Sequence, residues 1–136
     1  MVDLTLEMAE KALKGAQAKA RELGAPMAVA VIDEGGNLVL LAKQDGAGFL
    51  TPDIARAKAF AAAAFRRPTK VMAENYQSNP LFWSSLAAVQ PGRLLPGTGA
   101  VPILRGGRII GAIGCSGGTG EQDHVCAEAG AVAMGG

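Results

Sequence analysis

The run Ser116-Gly117-Gly118-Thr119-Gly120, followed by Glu121-Gln122-Asp123-His124, sets the chain's only histidine at the start of a helix that opens from a glycine-rich turn. Glycine lets a backbone come close to a ligand, and a helix N-terminus presents N–H donors that lack internal partners. A small anion or carboxylate would meet the N–H groups of Gly117 to Gly120, with the Ser116 and Thr119 hydroxyls beside them. Such a junction also serves simply to turn the chain. Lys58, inside an otherwise alanine-rich helix, either reaches this site as a counter-charge or snorkels to water. For catalysis, His124 and Asp123 are the acid/base groups, because imidazole titrates near neutral pH and a carboxylate can orient it. Adjacent helix residues point about 100° apart, so the two need not touch. Asp53 is a second carboxylate, with complementation of a helix dipole as its simpler role, and Tyr76 offers a phenol. This polar set suits enolisation, tautomerisation, hydration or dehydration of a small oxo-acid without a cofactor.

Other chemistries are disfavoured. The Gly-Cys-Ser-Gly run lacks the spacing of a nucleophile elbow. One histidine with scattered carboxylates does not make a metal site held by protein alone. One histidine does suffice as a haem axial ligand, so haem stays open. Cys115 and Cys126 are too few for a disulfide framework and read as small buried hydrophobes. Cys126 is two residues from His124 and so does not share its helix face.

The elements that position these residues follow from periodicity and caps. Thr5 caps a first helix carrying Leu6, Ala9, Leu13, Ala16, Ala20 and Leu23, and Gly24 ends it. Met27 to Ile32 and Leu38 to Ala42 form a hairpin around Asp33-Glu34-Gly35-Gly36-Asn37. Thr51 at N-cap and Pro52 at the first helical position start the alanine-rich helix through Phe65. Short helices open at Pro68-Thr69 and Asn79-Pro80, the latter carrying Leu81, Phe82, Trp83 and Leu86. A turn-rich stretch over 90–99 includes a short strand at Arg93–Leu95. Val101 to Leu104 and Arg108 to Cys115 make a second hairpin, and the closing helix runs from Glu121 to Met134. This order predicts an α+β domain, with apolar strands covered by helices on both faces.

Length fits one domain over residues 1–136 with a real core. Apolar residues are 49%, charged residues 18% and net charge +1. No basic patch points to nucleic acid, no run approaches the ~18 apolar residues of a membrane span, and no secretory segment is evident. A cytoplasmic protein is expected. So much alanine with so few charges suggests a homodimer or higher, through the alanine-rich helix or the Leu81–Trp83 segment.

Four phrases in register resemble the GlcG/HbpS haem-binding-like family, which also forms the C-terminal domain of PduO-type proteins. They are Thr51-Pro52-Asp53-Ile54-Ala55-Arg56-Ala57-Lys58-Ala59, Gly97-Thr98-Gly99-Ala100-Val101-Pro102-Ile103, Gly111-Ala112-Ile113-Gly114-Cys115-Ser116-Gly117-Gly118, and Gln122-Asp123. The resemblance covers nearly the whole chain. It implies a profilin-like three-layer α/β/α domain with a five-stranded antiparallel sheet, homo-oligomeric assembly, and a setting beside catabolic genes or in haem sensing. It adds Thr51, Asp53, Gly99 and Gln122 to the candidate ligand-binding set. PduO-type domains carry a haem-ligating histidine near the N-terminal helix; here Asp3 to Met8 contains none, and His124 stands alone. Three readings result: a protein binding haem or a related tetrapyrrole, as the family label implies, with His124 or Tyr76 as axial ligand; a small catabolic isomerase or lyase using His124 and Asp123; and a vestigial accessory or sensor domain.

Overall fold

A computed structural model describes residues 3–134, so Met1, Val2, Gly135 and Gly136 of the expected domain lie outside the described residues. The elements are α1 (Leu6–Leu23), β1 (Ala28–Asp33), β2 (Leu38–Lys43), α2 (Thr51–Phe65), α3 (Thr69–Asn75), α4 (Pro80–Ser85), a 3-10 turn (Leu86–Ala88), β3 (Ala100–Arg105), β4 (Arg108–Ser116) and α5 (Gly120–Met134). The caps act locally as expected at α1, where the Thr5 side chain accepts from the Met8 N–H and Gly24 takes the left-handed conformation. At α2 the boundary differs. Leu50 is the N-cap, and the Thr51 hydroxyl donates to the Gly48 carbonyl at 2.7 Å, so Thr51 closes the preceding turn and does not cap the helix.

The four strands pair antiparallel throughout, in the order β2-β1-β4-β3. The five-stranded expectation is therefore corrected to four among the described residues. Arg93–Leu95 is not a strand: the Leu94 side chain is buried with Ala61, Met72 and Leu86, and the Leu95 N–H donates to Ala57. The Leu95 N–H is thereby taken by α2 and is not available to a ladder.

Strand alternation divides the core in two. Val29, Val31, Val101, Ile103, Ile113 and Cys115 face α1 and α5, which pack through small residues such as Ala12, Ala16 and Ala127. Ala28, Ala30, Ile32, Ala100 and Ala112 face α2, where they meet Ala55, Ala59 and Ala62. Helices thus cover both faces, giving the three-layer arrangement. A Cβ on Gly114 would lie 2.8 Å from the Ala59 N, which is why α2 can press so closely on β4. Six of the seven alanines of α2 are buried inside the subunit, and Ala64 is exposed.

β3 is an edge strand with an unusual outer rim. Thr69 Oγ1 accepts from the Ala100 N–H at 2.9 Å and donates to the Ala100 carbonyl at 3.2 Å, both buried. Ala100 thus directs its polar groups away from β4, and Pro102, two residues on, directs its missing N–H the same way. Beyond it the register shifts between Ile103 and Leu104.

Candidate functional site

Two helices from opposite faces meet around the end of the sheet. Lys58 on α2 and Asp123 on α5 form a salt bridge at 2.8 Å (Nζ to Oδ2), with side chains only 9% and 4% exposed. Lys58 Nζ also donates to the Cys115 carbonyl at 3.2 Å, and Asp123 Oδ1 accepts from the Gly118 N–H at 2.9 Å. Both carboxylate oxygens are engaged, so the buried charge is paired and hydrogen-bonded on each side. Gly99 leaves the room for it. Its φ is +139°, and a Cβ there would lie 2.8 Å from both Asp123 Cβ and Lys58 Nζ. Lys58 does not reach water: its ammonium is held inside the protein by Asp123.

The glycine-rich turn is largely self-satisfied. Thr119 Oγ1 accepts from the Gln122 N–H at 3.2 Å while Gln122 Oε1 accepts from the Thr119 N–H at 2.9 Å, a reciprocal capping pair. Gly118 donates to Asp123, and the N–H groups of Gly120 and Glu121 find no internal acceptor among the described residues. The turn itself is exposed at Gly117, Gly118, Thr119 and Gly120, whereas Ser116 is buried. Its free donors are thus fewer than the four orphan N–H groups of an uncapped helix.

His124 turns away from this pair. Its imidazole is buried, Nε2 lies 3.3 Å from Glu128 Oε2, and Nδ1 has no hydrogen-bond partner. Glu128 is one turn further along α5, with its side chain 58% exposed. The structure therefore joins Asp123 to Lys58 and His124 to Glu128, and does not join Asp123 to His124. Asp53 is exposed five residues before Lys58, about 140° around the helix axis, and lines a recess of about 210 Å³ with Arg56 and Arg93. Tyr76 is exposed at the C-terminal end of α3 and makes no hydrogen bond to the pair.

Sequence reasoning missed Glu128 and Thr69. The first carries a visible signal, since positions i and i+4 on a helix are neighbours. Thr69 carries none, because its partner Ala100 is fixed only by the fold. Both cysteines are buried free thiols, as expected. Burial pushes Cys115 well up from its ordinary value and raises Cys126 to about 11, with the nearby Asp123 charge adding to each. Both are therefore poor nucleophiles at neutral pH. No three His, Cys, Asp or Glu side chains converge as a metal site among the described residues, and no helix among them is long and apolar enough to cross a membrane.

A four-stranded antiparallel sheet between helical layers, with a glycine-rich turn pinned by a buried ion pair, defines the class of domain. Residues 4–132 match the family model described as haem degrading protein HbpS-like, and the chain belongs to that family. It is 34% identical over 115 residues to Protein GlcG of Escherichia coli K12, covering 85% of this chain and 82% of that one. The crystal structure of HbpS is similar at a TM-score of 0.88 and 34% identity, over 100% of this chain and 93% of the other. The crystal structure of a PduOC:heme complex is similar at a TM-score of 0.87 and 25% identity, over 97% of this chain and 95% of that chain.

Proposed function

We propose that this protein binds haem or a related tetrapyrrole, with His124 as the axial ligand. The observation that supports it is the imidazole itself, buried with Nδ1 unpartnered. Histidine inside a core normally satisfies both nitrogens, so this ring gives up little hydrogen bonding when it leaves its pocket. Exposed Glu128 can swing aside to free Nε2. The chain's residues fit the group in this respect: one histidine supplies the ligand. Bound haem would supply an iron centre for ligand exchange or redox chemistry. A family relative whose structure is a heme complex gives the reading its second support.

The test is a haem titration followed by absorbance, with His124→Ala run in parallel. A saturable Soret shift near one haem per subunit, lost in the variant, is the expected result. No shift, or one indifferent to His124, sinks the reading.

The buried Lys58–Asp123 pair favours a second reading, a cofactor-independent isomerase or lyase acting on a small oxo-acid. Desolvated charged pairs gather at functional sites, and this one sits directly behind the exposed turn. Here Lys58 would face substrate carboxylate or enolate, and Asp123 and His124 would move protons. Turnover in an oxo-acid screen that disappears in Lys58→Met and His124→Ala supports it. A vestigial accessory domain predicts neither a Soret band nor turnover. A cytoplasmic setting belongs to all three readings.

A further inference from the structure

The first turns of α2 and the turn that precedes Leu94 enclose a recess of about 210 Å³, lined by Asp53, Arg56, Phe60, Gly92 and Arg93. At ~30 Å³ per water molecule this is the room of about seven waters, enough for a small organic molecule. Asp53, Arg56 and Phe60 stand at i, i+3 and i+7 on α2, so they share one stripe of the helix. Gly92 and Arg93 come from a turn that is fastened down. The Arg93 N–H donates to the Gln90 carbonyl at 3.0 Å, and Gly92 takes a φ of +74°. Just beyond, Leu94 is buried and the Leu95 N–H donates to the Ala57 carbonyl at 3.2 Å. The Arg93 guanidinium carbon lies over the Phe60 ring, 4.9 Å from its centre. A guanidinium resting on a ring face keeps the N–H donors in its own plane for another partner. Two cations and one anion thus share a small recess, yet none of Asp53, Arg56 and Arg93 belongs to an ion pair among the described residues.

We propose that this recess binds a small dicarboxylate that carries an ammonium group, as an acidic amino acid does. The lining offers two positive charges and one negative, and such a ligand offers the complementary set, two negative and one positive. The planar forks of Arg56 and Arg93 suit carboxylates, which accept two parallel N–H···O bonds from one guanidinium. The ligand's ammonium faces Asp53, whose carboxylate repels an anion that lacks a positive group. Arg93 needs little ordering on binding, because the Phe60 ring and the fastened turn already hold it. All three charged residues are exposed, so each pair forms in contact with water; affinity is modest and selectivity comes from the pattern of charge. The recess lies on the α2 side of the sheet, whereas His124 is carried by α5. The inference therefore stands independently of the haem reading.

The experiment is a titration of the isotope-labelled full chain at low salt, followed by amide NMR shifts. The two probes are L-aspartate and succinate, which has the same skeleton without the ammonium. Saturable shifts at Arg56, Phe60, Gly92 and Arg93 are expected with L-aspartate, and succinate should bind about tenfold more weakly or worse. Arg56→Ala and Arg93→Ala should each weaken L-aspartate about tenfold or more. Arg93→Lys keeps the charge but not the fork, and it should weaken binding too. Asp53→Asn should erase the preference for L-aspartate over succinate. The substituted side chains are exposed, and circular dichroism verifies that each variant is folded. No saturable shift with L-aspartate up to about 10 mM, or shifts confined to other parts of the molecule, would overturn the inference. So would binding indifferent to both alanine substitutions, succinate binding as tightly as L-aspartate, or a preference that survives Asp53→Asn. Haem titration reports separately on His124, so loss of one result leaves the other standing.

Discussion

The Lys58 ammonium and the Asp123 carboxylate, 65 residues apart in sequence and carried by helices on opposite faces of the sheet, meet at 2.8 Å. They clasp the domain around the end of β4. Taking two charges out of water is costly, and their attraction offsets that cost only while both are present. Asp123→Ala should therefore lower stability by about 3–5 kcal/mol, because it leaves Lys58 buried without a counter-ion. The double variant Lys58→Met/Asp123→Leu should recover most of that loss. Urea midpoints at unchanged m-value measure both, and a mild effect of the single variant would show that water enters and solvates Lys58.

How much of this was legible in the sequence depends on the range of the interaction. Thr5 and Gly24 bound α1 as read, because a cap satisfies groups within its own turn. The capping pair of Thr119 and Gln122 is equally local, three residues apart. Lys58 stands out in its alanine-rich helix, and Asp123 is a candidate carboxylate. Their mutual contact was not readable, because only the β1–β4–β3 pairing brings α2 and the start of α5 to the same end of the sheet. The His124 pairing with Glu128 is readable from i+4 spacing, whereas the adjacent Asp123 points to a different side of the helix. The fifth strand fails for a tertiary reason: Leu94 is buried with Ala61, Met72 and Leu86, and the Leu95 N–H donates to α2.

Thr69 holds the start of β3 by a double hydrogen bond to Ala100, at 2.9 and 3.2 Å. Thr69→Val keeps the shape and removes the hydroxyl, leaving two buried backbone groups unpaired. A loss of about 1–3 kcal/mol per orphaned group is expected, reduced where water reaches the site. Thr69→Ser should restore most of it. Faster amide exchange at Ala100 in the valine variant, with exchange in β1 unchanged, is the local signature; uniform acceleration everywhere would instead indicate general unfolding.

Alkaline stability should carry the imprint of Cys126. Its folded-state value is raised from 9.0 to about 11, mainly by burial, so the folded protein holds the thiol proton more tightly than the unfolded chain does. The contribution is complete below about pH 9 and is lost as pH rises toward about pH 11, because the unfolded state then sheds protons first. Unfolding free energies measured from pH 8 to pH 11 should decline, and Cys126→Ala should flatten part of that decline. Slow alkylation of native protein by iodoacetamide at neutral pH is the companion result.

The outer rim of β3 has one more consequence, for what happens when many copies are crowded together. A sheet with two open edges can add neighbours without limit, the geometry from which fibres grow. Here one edge is closed, by the Thr69 clamp on Ala100 and by the ring of Pro102 two residues later. Among the described residues, the other edge of the sheet is β2. With one edge closed, edge-to-edge growth of the sheet stops at β3, so the chain carries a terminator against runaway polymerisation.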